Sequence, residues 1–281
     1  NRFAFGNPTT EDLIGVFNDV AEKDYTWFFK QWVLSAGHPQ LNIESSWKKG
    51  ELTVAINQTQ VGRKTPTKYY LPSKIAFFYK NEVVEEELII DRKRSIFRFD
   101  TKKEPLFVRF DPNDDLLVEI EQNHTYEGLL NKLKRDNVIG RMEAAKLLKK
   151  YIDEPKTLRS LKRVAVHDRS WFVRKAAVQS VASEFTSKDF LIAFIREKHS
   201  QPRRSLISEM SKYHPQDAIK LIRKYLDKDD SYIVQAEMIK QLGNHGDASD
   251  IDRIKRYVEP WSPRKIMRIA ANKSLTQLQE K

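Results

Sequence analysis

The sequence predicts a multidomain β + α chain: two or three N-terminal helices, a small antiparallel β-sandwich, then an α–α superhelix. Three observations carry this. Apolar residues fall at helical spacing over about residues 10–37. They alternate with polar ones over about 40–121, which is the period of a strand with one buried face. From about 126 to 281 the pattern is helical throughout, and it repeats. The expected domains are 1–39, 40–122 and 123–281.

The N-terminal helices come first. Thr9 and Thr10 precede Glu11 and Asp12, so a hydroxyl can cap free amides and the acids suit the positive end of the dipole. Leu13, Ile14, Phe17 and Val20 follow at helical spacing. A second helix is expected from about Asp24 through Trp27, Phe28, Gln31, Trp32 and Leu34, ending near Gly37 with Pro39 as a stop. Two short helices this rich in aromatics cannot bury their apolar faces on each other alone. They are expected to pack against a larger helical body.

In the β zone Leu52, Val54 and Ile56 alternate with polar residues, as do Phe97 and Phe99. Phe107, Arg109 and Asp111 share one face, and Leu106, Val108 and Phe110 the other. Turn signals at Lys49-Gly50, Gly62 with Pro66, Lys80-Asn81, Asp91 to Arg94, and Pro112-Asn113 divide the zone into about seven strands. Glu85, Glu86 and Glu87 read as an exposed edge that resists aggregation rather than a metal site.

The helical zone repeats in steps of 32, 30, 30 and 34 residues, aligning Ala144, Ala176, Leu206, Ala236 and Ala270. Small residues such as Ala144-Ala145, Ala176-Ala177 and Ala270-Ala271 let helices approach, and large apolar residues a turn away fill the seam. Asp168-Arg169-Ser170, Asp229-Asp230-Ser231 and Trp261-Ser262-Pro263 suit the tight turn before each second helix. This resembles HEAT-like repeats, with Asp before the turn and Arg174 inside the second helix. The third unit departs from the pattern: Pro202-Arg203-Arg204 lacks the Asp and the Ala pair.

Composition narrows the function classes. The chain has 281 residues, a net charge of +11 and no cysteine, which excludes disulfides, thiolate zinc sites and cysteine nucleophiles. A chain without cysteine fits either redox environment. Residues 1–125 carry 17 Lys+Arg against 19 Asp+Glu, and residues 126–281 carry 33 against 20, so the basic excess belongs to the second half. That favours acidic partners or simply a solvated, lysine-rich surface. No apolar run approaches the ~20 residues that span a bilayer, so no membrane partner is expected.

Chemistry-bearing motifs are missing. The histidines at 38, 124, 167, 199, 214 and 245 never stand three or four residues apart, and H-E-x-x-H is absent. Neither common phosphate-binding glycine loop occurs, nor a G-x-S-x-G elbow. No catalytic, cofactor-binding or metal-ligating residue is assigned.

Several motifs together carry a resemblance. They are Thr10-Glu11-Asp12-Leu13, Phe28-Phe29-Lys30-Gln31-Trp32-Val33 and Gly37-His38-Pro39-Gln40-Leu41. Leu52-Thr53-Val54 leading to Asn57-Gln58-Thr59-Gln60, Tyr70-Leu71-Pro72, and Phe110-Asp111-Pro112 through Leu116 complete the set. In order and spacing this resembles the end of the catalytic domain and the following sandwich of zinc aminopeptidases related to aminopeptidase N and leukotriene A4 hydrolase.

The resemblance implies the C-terminal sandwich and helical cap of such an enzyme. In that family zinc is held by H-E-x-x-H and a downstream Glu, and these are expected upstream of Asn1. No cofactor is thus expected in this chain, and zinc is expected in the parent. The expected partners are the upstream catalytic domain and, through the parent, peptide substrates. Trp32 and Phe28 are expected to anchor the sandwich to the catalytic body, Gly37 and Pro39 to fix the interdomain turn, and Gln58 and Gln60 to satisfy buried backbone groups.

Two alternatives stand beside it. One is a non-catalytic aminopeptidase-like scaffold that binds proteins. The other, less favoured, is nucleic-acid binding through Arg203-Arg204, Lys162-Arg163 and Arg253 to Arg256.

Overall fold

Apolar periodicity sorts the chain into two compact units, Asn1–Thr125 and Tyr126–Lys281, in a computed structural model that describes residues 3–280. Asn1, Arg2 and Lys281, the outer ends of the expected domains, lie outside the described residues. The fold is mixed α/β. Among the described residues there are twelve α-helices and two small sheets, with the strands in the first unit and most helices in the second.

The first unit opens with α1 (Thr10–Ala21). Thr9 caps it in a reciprocal box with Asp12. The short α2 (Thr26–Trp32) follows, and it stops five residues before Gly37, earlier than the aromatic run suggested. Asn18 holds the turn between them, accepting the Tyr25 amide at 2.7 Å and donating to Asp24 and Thr26.

Seven strands form two sheets. β1 (Gln40–Lys48), β2 (Glu51–Gln58), β5 (Arg94–Asp100) and β7 (Glu119–Gln122) give the order β5-β2-β1-β7. β3 (Leu71–Phe78), β4 (Val83–Ile90) and β6 (Phe107–Phe110) give β4-β3-β6. Lys49 and Gly50 both take positive φ, the two-residue hairpin turn whose twist matches the strands it joins.

The sheets are not purely antiparallel as expected. β7 returns after a long excursion and pairs with β1 in parallel, Leu41 opposite Ile120. Leu41, Ile43, Val54 and Ile56 of one sheet and Leu71, Ile75, Ile90 and Phe110 of the other belong to a single buried cluster. Alternation holds in β2 but fails in β6, where all four residues are buried. Its Arg109 is kept there by Asp114 at 2.5 Å. β4 lies at a sheet edge, with Glu85, Glu86 and Glu87 exposed.

The second unit alternates first and second helices. The first helices are α3 (Tyr126–Arg135), α5 (Pro155–His167), α7 (Ser187–Arg196), α9 (Pro215–Tyr225) and α11 (Ile251–Lys255). The second are α4 (Val138–Leu147), α6 (Trp171–Val181), α8 (Ser200–Tyr213), α10 (Tyr232–His245) and α12 (Ile266–Gln279). Each second helix packs against the next, and the small residues picked out by the repeat sit at those seams: Ala144, Ala145, Ala176, Ala177 and Ala271 are buried. Between α10 and α12 the approach is closest at Gly243, where a Cβ would meet Ser274 Oγ at 2.5 Å.

A ladder of ion pairs joins successive units. Arg141 forks onto both oxygens of Asp168 at 3.0 Å and donates to the Asp136 carbonyl. Arg174 forks onto Glu197 at 2.6 Å and donates to the Asp168 carbonyl. Arg203 forks onto Asp229 at 2.9 Å and donates to the Lys198 carbonyl. Each acid also accepts the amide two residues on, of Ser170, His199 or Ser231, at 2.8–2.9 Å. The third unit therefore keeps the device. Glu197 fills the place where Asp was missed, its longer side chain reaching the same two partners.

Candidate docking surface

Three of the motifs that carry the resemblance, around Gln31, Gln58 and Tyr70, meet at the backbone of Tyr69 and Tyr70 just before β3. Successive residues of an extended chain point their polar groups to opposite sides. Gln58, at the end of β2, takes one side: it accepts the Tyr69 amide at 2.7 Å and donates to the Tyr69 carbonyl at 2.9 Å. Gln31, from α2, takes the other: it accepts the Tyr70 amide at 2.7 Å and donates to the Tyr70 carbonyl at 3.1 Å.

Each amide thus stands in for a neighbouring strand. Gln60 extends the network, accepting the Gln40 amide and donating to Gln58 and to the carbonyls of Pro66 and Thr67. All three glutamines are buried, Gln58 to 1% exposure, so their bonds act away from water. The Tyr69 ring is also buried, and burial pushes its phenol above the usual value.

Aromatic contacts complete the junction. Trp32 packs on Tyr69 at 5.5 Å and Trp27 meets Tyr70 edge-on at 4.8 Å. Trp32 thus fastens the N-terminal helices to the strands.

Gly37 takes φ +81°, and a Cβ there would lie 2.5 Å from Thr65 Oγ1, so both conformation and space demand glycine. Pro39 offers its carbonyl to the Glu119 amide, and His38 Nε2 lies 3.2 Å from a Glu119 oxygen. Asp111, at φ 49°, accepts the amides of Asp115 and Leu116 and so fixes the turn after β6.

With that junction closed, the outer face of the helices stays open. Leu13, Phe17 and Val20 lie along one stripe of α1 at 56%, 44% and 81% exposure. Ile14 turns inward, while Phe17 also touches Tyr25 and Phe29 edge-on. Phe28, Val33 and Leu34 are exposed beside them on α2 and its exit. These exposed apolar side chains on α1, α2 and its exit are the candidate contact surface of the first unit.

The remaining candidates give no catalytic geometry. Among the described residues no group of three His, Cys, Asp or Glu side chains could hold a metal. His199 accepts the Gln201 amide and stacks on Trp171 at 4.2 Å; His214 bonds the Phe185 carbonyl at 2.7 Å. Of the cations named for nucleic acid, Lys162 is taken by Asp189, Arg203 by Asp229, Arg204 by Glu237, and Arg253 and Arg256 by Asp227. Among the described residues no helix is long and apolar enough to cross a membrane.

No family model matches the chain, and no curated protein matches it. Among solved structures it is similar to aminopeptidase A of Legionella pneumophila, solved in complex with aspartic acid. The TM-score is 0.70 at 15% identity, covering 97% of this chain and 39% of that one. The chain thus spans about two fifths of the length of the enzyme it resembles, and its fold is aminopeptidase-related.

Proposed function

We propose that the chain is the C-terminal portion of a zinc-dependent aminopeptidase of the aminopeptidase N and leukotriene A4 hydrolase kind. On this reading the two sheets form the family's β-sandwich, and the helix pairs form a HEAT-like superhelix that walls or caps the active site and limits access to it. The chain itself is not catalytic. Among the described residues no donor set fits a zinc ion, so on this reading the metal belongs to residues before Asn1, and no step of the reaction is assigned here.

The observation that carries the reading is the fold likeness: nearly the whole chain superposes on a minor part of an aminopeptidase. The junction at Tyr69 and Tyr70 supports it, because three of the motifs that resemble the family's, around Gln31, Gln58 and Tyr70, are used together there. The open stripe of α1 supports it as well, since it offers a face for the preceding catalytic body.

The test compares the chain alone with a polypeptide that also includes the residues upstream. The longer protein is expected to bind stoichiometric zinc and release N-terminal residues from peptides, and the chain alone to do neither. Tight zinc or chelator-sensitive peptidase activity in the pure chain would overturn the reading.

A further inference from the structure

Many cations of the second unit pair with acids, and several of those that do not come together in one place. A groove of about 710 Å³ lies within this unit, among α3, α5 and the turn that follows α5. It is lined by Lys134, Arg141, Lys156, Arg159, Arg163 and Arg169, with His167 beside them. Asp168 is the lone acid of the lining, and both its oxygens are held by Arg141. Lys156 is neutralised by Glu127.

Lys134, Arg159, Arg163 and Arg169 remain. All four are exposed, and none has a carboxylate within ion-pair distance among the described residues. α5 contains no acid at all, and it sets Arg159, Arg163 and His167 four residues apart on one stripe. Like charges at that spacing oppose each other across about 6 Å of helix rise. α5 has no acid of its own to offset that repulsion.

We infer that this groove binds a compact polyanion carrying several phosphate groups. Three guanidiniums supply forked donors matched to phosphate oxygens, and Lys134 adds a mobile charge opposite them. One monoanion would leave most of that charge unmatched, so the ligand carries several. A long nucleic-acid strand is less favoured, because Lys162, Arg203, Arg204, Arg253 and Arg256, the cations it would meet first among those adjacent in sequence, are each paired with an acid. An acidic peptide fits poorly as well. Its carboxylates carry one charge each along an extended backbone, whereas clustered phosphates bring several charges within the span of the three guanidiniums.

This inference does not rest on the aminopeptidase reading, and its test needs no enzymatic activity. The whole chain is titrated calorimetrically at low salt with sodium tripolyphosphate, inorganic phosphate, hexaglutamate and a ten-residue oligothymidylate. Tripolyphosphate is expected to bind one saturable site, more tightly than the other three, and to weaken as salt rises. R159E/R163E is expected to weaken that binding roughly tenfold or more. K188E/K273E, with the same change in net charge outside the groove, is expected to leave it intact. Melting curves check folding first, and R159Q/R163Q replaces the reversal if it unfolds. Absence of saturable binding, equal loss in both double variants, or tighter binding of hexaglutamate or oligothymidylate would overturn the inference.

Discussion

At the scale of single residues, the side-chain amides at the helix–strand junction make the sharpest claims. Gln58→Leu keeps most of the volume but strands the Tyr69 amide and carbonyl away from water. At about 1–3 kcal/mol for each buried group left unsatisfied, the first unit should melt well below the wild type in urea titrations. Gln58→Glu would keep an acceptor for the Tyr69 amide and lose the donor, so it should fall between. In the ladder, Arg174→Ala leaves Glu197 buried without its counter-ion and should cost about 3–5 kcal/mol. These amides were legible in part. The spacing of Gln58 and Gln60 placed both on one strand face, but Gln31 belongs to a helix 39 residues from Tyr70, and no local pattern reports a pairing that distant. Trp32 was legible as an anchor, but its partner Tyr69 was not. An aromatic residue on a short helix announces burial, not what it is buried against.

At the scale of elements, α1 and the ion-pair ladder lead to opposite expectations. Leu13→Asp with Val20→Asp should change the chain's own stability by no more than about 0.5 kcal/mol, because both side chains already face water. The same pair should abolish binding to a separately expressed catalytic body, read by co-sedimentation. Paired acids of the second unit, Glu197 of the ladder among them, act through pH. Burial pushes Glu197 up, but the fork of Arg174 outweighs it and holds the carboxyl below its usual range. Asp189 is likewise raised by burial and brought below by Lys162 and Thr186. Asp227 is lowered first by the Tyr257 hydroxyl, and Asp247 is held down to about 2 by Ser249 and then Arg223. Folded values below the unfolded ones mean that the unfolded chain binds more protons. The stability they give is complete above the unfolded carboxylate value of about 4 and drains away as pH falls toward 2. Urea midpoints should stay level from pH 7 to 5 and drop steeply below 4. The repeat itself was visible as a step of 30 to 34 residues because packed small residues recur with the helices. The third unit hid its acid because Glu197 does the work of an Asp from one methylene farther out.

At the scale of the whole molecule, charge and fold separate cleanly. The basic excess read from composition belongs to the second unit, yet structure reassigns its meaning. Lys162, Arg203 and Arg204, which looked available in the sequence, are neutralised by acids 26 to 33 residues away, whereas Arg163 stays open in the groove beside α5. A run of residues reports which charges are neighbours along the chain, not which find partners in the next unit. The same limit applies to β7, whose parallel pairing with β1 closes a sheet across 79 residues. The central claim is that this chain completes an aminopeptidase without carrying its chemistry. The most direct test is the chelator-sensitive release of N-terminal residues, measured side by side on the pure chain and on a polypeptide that includes the residues preceding Asn1. The account predicts turnover and bound zinc for the longer protein and neither for the chain alone; turnover by the chain, or a longer protein that binds no zinc and cleaves nothing, would contradict it.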